Sequence, residues 1–234
     1  MAAEGDDGLH VFTKAFLEIF DGPKNFGKEW CATYKEYGFK IEPQGNQGEV
    51  RPEECLLPTC ERVEFCSRIH VATGDYTHSF PKPSKVAQSL STSFNTAVSR
   101  HDACATKAVA LMASCMKQPL LFELCATMYE THRRCGGHAI GDVLEKEWSI
   151  KEIYNGFVER ELDNGSDTRS GHKFYVKLLN DHLEFLSDGA TARMMMAAME
   201  REIGISVQGQ EELMISLRGG NRDIISSVVR ALRE

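Results

Sequence analysis

Apolar positions along the chain recur mainly at three- and four-residue spacing, which predicts a mainly α protein. Val11, Phe12, Ala15, Phe16, Ile19 and Phe20 predict a first helix over Leu9 to Phe20, stopped by Asp21, Gly22 and Pro23. Asn25 is placed to cap a second short helix that runs to about Tyr37 and closes at Gly38. Residues 39 to 83 change texture, because they hold five of the seven prolines, together with Gly45, Asn46 and Gly48. This stretch reads as loop-rich, with short strands around Val63 to Ala72. Helical spacing returns from Ser84 to Lys117, with a break near Ser99. Pro119 resets it, and Leu120 to Arg134 forms another helix that stops at Gly136 and Gly137. Ile140 to Leu162 carries an apolar face with acidic flanks. Lys173 to Leu186, Thr191 to Ile203, Gln210 to Leu217 and Arg222 to Arg233 then follow as shorter helices separated by glycines.

The polar run from Asp163 to Gly171 holds no apolar residue and marks a boundary. The expected organisation is therefore a helical pair plus an irregular Cys-rich segment over 1–83, a helical domain over 84–162 and a C-terminal helical domain over 172–234. Short helix connections point to a multi-helix bundle of antiparallel neighbours. The loop-rich N-terminal segment stands outside that bundle and is a place for zinc to act as a clamp.

Composition sets limits on partners. The chain has 234 residues, 42% of them hydrophobic and 26% charged, with a mean hydropathy of -0.32. That is the balance of a globular protein with a real core, and it excludes a disordered or collagen-like chain. No run approaches the length of a transmembrane helix. Thirty-four acids against 27 bases give a net charge of -7, so binding to RNA or to an anionic membrane surface requires a local basic patch. Met1 to Asp7 is small and acidic, unlike a signal peptide. The expected setting is the cytoplasm or nucleus, where eight cysteines serve as buried small hydrophobes or metal ligands rather than as a disulfide framework.

Cys55-x4-Cys60-x5-Cys66-x3-His70 is the sharpest chemical pattern. Three thiolates and an imidazole match tetrahedral zinc, and the last two spacings resemble the ending of CCCH-type zinc fingers. The first spacing is shorter than that family uses, and Cys31 is an alternative ligand. A second candidate metal set is Cys125, His132, Cys135 and His138, around the Gly136–Gly137 stop. His132, Arg133 and Arg134 also suit the negative end of a helix without any metal. Arg133, Arg134, Arg222, Arg230 and Arg233 are candidate RNA or lipid contacts, with ion pairs between helices as the other use. From Arg193 onward every basic side chain is Arg, six in all, against six acids. Met194, Met195, Met196 and Met199 belong to a helix that is either buried or an adaptable contact surface. The last helix, with Ile224, Ile225, Val228, Val229 and Leu232, is either packed or a docking element.

No serine-nucleophile elbow, phosphate-binding loop or His-Glu-x-x-His motif is present, so a non-enzymatic role is expected. A cysteine-based enzyme would need a selectively reactive thiol.

Ala113 to Met116, Phe122 to Thr127, His132, Arg133 and His138 resemble, in that order, the middle domain of the orthomyxovirus (influenza-type) matrix protein. Ala190 to Met199 is similar to the Ala/Met-rich helix of that family's C-terminal domain. Met128 stands where the family's pattern places a second cysteine. The resemblance implies an all-helical viral protein that self-associates beneath an envelope, bridges membrane to ribonucleoprotein and enters the virion. The alternative is a zinc-dependent RNA- or protein-binding regulator that uses Cys55, Cys60, Cys66 and His70.

Overall fold

The computed structural model describes residues 2–4, 7–9, 13–39, 44–45, 48–54, 64–65, 67–73, 76–91, 98–147, 150–163, 171–220 and 223–232. Cys55, Cys60, Cys66, Arg222, Arg233 and the middle of the 163–171 linker lie outside these residues. The chain is mainly helical and forms two compact units, Met1–Ser79 and Phe80–Glu234.

In the first unit, β1 (Ala2–Glu4) pairs antiparallel with β2 (Asp7–Leu9). Helix α1 (Lys14–Glu18) starts at Thr13, whose hydroxyl accepts from the Phe16 N–H at 3.2 Å. It is shorter than the apolar spacing predicted, and Asp21 and Gly22 end it with positive φ. Helix α2 (Pro23–Glu36) opens at Pro23 and not at an Asn25 cap. The reason is that proline at the first helical position brings a preset φ and has no N–H to satisfy. Phe16, Phe20, Phe26, Trp30 and Tyr34 form a continuous file of ring contacts along α1 and α2. Two short strands, β3 (Gln44–Gly45) and β4 (Gly48–Glu49), pair next, and a 3-10 turn follows at Pro52–Glu54. Strands β5 (Glu64–Phe65), β6 (Arg68–Thr73) and β7 (Tyr76–Pro81) lie side by side in that order. The strands expected around 63–72 are therefore present and continue into a third. Arg68 ties β6 to β7 by donating to the Ser79 hydroxyl and carbonyl at 2.8 and 2.9 Å.

The second unit is all helix among its described residues after β7. The long stretch predicted from Ser84 divides into α3 (Pro83–Leu90) and α4 (Arg100–Ser114), with Ser99 as the cap that accepts from the Asp102 N–H at 3.1 Å. Helix α5 (Pro119–Arg134) returns antiparallel to α4, and the two make the most extensive helix pair of the unit. Their contact is close because Ala105, Ala108, Val109, Met112, Leu120, Leu121, Leu124 and Cys125 are all fully buried, and small residues let the axes approach. Where one helix was expected over 140–162 there are two, α6 (Gly141–Leu144) and α7 (Lys151–Asp163). Helices α8 (Gly171–Ser187), α9 (Gly189–Ile203), α10 (Val207–Arg218) and α11 (Asp223–Ala231) complete the bundle. Phe174 of α8 meets Tyr154 and Phe157 of α7 at ring separations of 5.0 and 5.3 Å, so side chains from the two sides of the polar linker pack together. Gly171 has no room for a side chain, since an added Cβ would lie 2.3 Å from the Ala139 carbonyl oxygen.

Candidate functional site

The antiparallel course of α4 and α5 brings the first turn of one beside the last turn of the other. Arg100, His101 and Asp102 therefore lie beside His132 and the turn that follows α5. His101 Nδ1 and His132 Nδ1 stand 3.0 Å apart, with ring centroids 5.3 Å apart. At that distance one ring donates and the other accepts, the roles being set by the tautomers. His101 is exposed and His132 half-buried. Burial, then the neighbouring His101 and Arg100, hold the His132 ring below its ordinary pKa.

The turn after α5 is fastened to α4 by its backbone. Gly136 has φ +84, which ends the helix, and Gly137 passes so close that an added Cβ would lie 2.7 Å from the His101 carbonyl oxygen. The His138 N–H donates to Asp102 Oδ1 at 2.7 Å, and the Ile140 N–H donates to the Thr106 hydroxyl at 2.9 Å. Hydrogen bonds from Ser99 and from the His138 backbone hold the Asp102 carboxyl below the usual range.

The four residues of the second metal set do not converge. Cys125 is fully buried, and a hydrogen bond with the Cys115 thiol, together with burial, pushes its pKa up, the opposite of what a thiolate ligand needs. His132 faces His101, whereas Cys135 and His138 are exposed at the surface. Among the described residues no three His, Cys, Asp or Glu side chains form a group able to hold a metal. Of the first set only His70 is described. It lies on β6 with a buried Nε2 that has no hydrogen-bond partner among the described residues, and burial lowers its pKa.

Of the candidate arginines, Arg133, Arg134 and Arg230 are described. Arg133 pairs with Glu130 at 3.1 Å, Arg134 is exposed at the end of α5, and Arg230 is exposed on α11. Arg134 and Arg218 border a cleft of about 200 Å³ between α5, α8 and α10 that also holds Glu123, Thr127 and Tyr175. Inside it, Arg218 donates twice to the largely buried Glu123 carboxylate. Sequence reading missed both Arg218–Glu123 and His101–His132, since each pair is distant along the chain.

No helix among the described residues is long and apolar enough to cross a membrane. No family model, curated protein or solved structure matches the chain.

Proposed function

We propose that the protein is a non-enzymatic, self-associating structural protein of the viral matrix type, which links a membrane surface to ribonucleoprotein. The observation that carries this reading is where the matrix-like words fall. Ala113, Cys115, Phe122, Leu124, Cys125 and Ala126 are all buried at the joint of α4 and α5. These residues fill the centre of the helical unit, so the resemblance rests on core positions rather than on surface ones. Surfaces suited to self-association support it further. Val176 and Leu183, two turns apart on α8, are 42% and 59% exposed, and Ile215 on α10 is 69% exposed.

Two measurements test the proposal. Light scattering across a concentration series is expected to show growth into large assemblies. Co-flotation with anionic liposomes is expected to fall as salt rises, because an acidic protein can be drawn to anionic lipid only through local basic side chains, whose charge salt screens. A monomer of constant mass at high concentration, together with no flotation at low salt, would refute the reading.

His70 favours a second reading, a zinc-dependent RNA- or protein-binding regulator. A ring whose pKa burial lowers, with an enclosed Nε2 that has no hydrogen-bond partner among the described residues, is in the form that ligates zinc. Elemental analysis of full-length protein purified without chelator is expected to find bound zinc that Cys60→Ser releases; zinc-free protein would remove this reading.

A further inference from the structure

We propose that His101 and His132 form a two-histidine site for a borderline divalent transition metal such as zinc, which bridges the first turn of α4 and the last turn of α5. The two Nδ1 atoms are 3.0 Å apart. Metal–nitrogen bonds of about 2.0–2.1 Å place two neighbouring nitrogens roughly 2.9–3.4 Å apart, for angles between a right angle and the tetrahedral value. The pair therefore already has the separation of two adjacent ligands, and the two hydrogen-bonded rings need only turn so that both lone pairs converge on the metal.

The proton balance is simple. Without metal, one Nδ1–H is shared with the other ring's Nδ1. On coordination that proton moves to Nε2 of the same ring, so both rings remain neutral, both Nδ1 lone pairs bind the metal, and no net proton is released. Half-burial favours the neutral form of the His132 ring. Arg100 at the same end opposes a dication, whereas the Asp102 carboxylate, held by Ser99 and the His138 backbone, offsets it. Arg133 is turned towards Glu130. Since no third protein ligand stands with the pair among the described residues, water or an exogenous donor completes the coordination. Such a site exchanges its metal, unlike a closed structural zinc site.

Its physical effect is a cross-helix clamp. His101 also carries the carbonyl against which Gly137 packs, so metal there fixes the turn after α5 as well as the two helix ends. This set shares only His132 with the cysteine-containing one read from the sequence.

The test uses chelator-treated full-length protein and zinc alone. The ring nitrogen NMR signals of His101 and His132 are expected to shift together as zinc is added, while those of His172 and His182 stay in place. The unfolding midpoint is expected to rise with the logarithm of zinc concentration. His101→Ala changes an exposed side chain and is expected to abolish the His132 response. The Cys60→Ser variant should keep both responses, which separates this site from the N-terminal cysteines. Ring signals of His101 and His132 that follow pH but ignore zinc would overturn the proposal, leaving a proton-sharing pair. A His132 response that survives in His101→Ala would also overturn it.

Discussion

His182 shows how one buried ring can set the acid tolerance of the helical unit. The ring is 1% exposed, stacks on Phe122 at 3.8 Å, and donates from Nδ1 to the Met116 carbonyl at 2.7 Å. Burial lowers its pKa from 6.5 to about 4, with Arg218 acting in the same direction and the Met116 hydrogen bond opposing. The folded state thus prefers the neutral ring. Its contribution to stability is complete above pH 6.5. It is lost as the pH falls towards 4, because the unfolded chain takes up a proton that the folded chain resists. The full loss, reached below pH 4, amounts to about 3 kcal/mol. Thermal melts across this range should therefore show a falling Tm. His182→Asn keeps a donor for Met116 and removes the titration, so its Tm should fall less over the same range. An equal fall in both proteins would assign the acid sensitivity to other groups.

At the scale of elements, Arg218 joins the end of α10 to α5 through Glu123. The carboxylate side chain is 11% exposed, whereas the guanidinium is 46% exposed. Arg218→Ala leaves a nearly buried charge without its partner. The expected cost is about 1–3 kcal/mol, below that of a fully enclosed pair, because water reaches the cleft from the arginine side. Denaturant unfolding measures it, and a variant as stable as the parent would show that solvent replaces the arginine at no cost. Most helices were legible from spacing because each buries one stripe, and glycine or proline marks most of their ends. The failures have local causes. Pro23 displaced Asn25 as the start of α2, and the apolar face over 140–162 hid the division between α6 and α7. The His101–His132 pair, distant along the chain, follows from helix lengths and not from spacing within either helix. Two helices of 15 and 16 residues joined by a short turn must align the start of one with the end of the other. A histidine in each of those turns then becomes a neighbour.

For the whole molecule, spacing located the loop-rich segment and the helical body but carried no record of which side chains meet across it. The chain groups into two compact units, Met1–Ser79 and Phe80–Glu234. Ring contacts among Tyr154, Phe157 and Phe174 cannot be read from a polar linker whose composition alone suggests separation. Among the described candidate arginines, Arg133 and Arg134 lie on α5 and Arg230 on α11, and Arg133 pairs within its own helix with Glu130.

The three consecutive methionines of α9 have a further consequence in oxidation chemistry. Met194 is 43% exposed, while Met195 and Met196 are 0% and 5% exposed and Met199 is fully buried. Peroxide converts an accessible thioether to a sulfoxide, and a polar sulfoxide does not fit a close-packed core. Dilute peroxide should therefore mark Met194 promptly, whereas its two neighbours acquire oxygen only when the bundle opens. Peptide mass spectrometry over time would thus read two clocks from adjacent residues. The first reports the reagent, and the second reports how often the helical unit breathes.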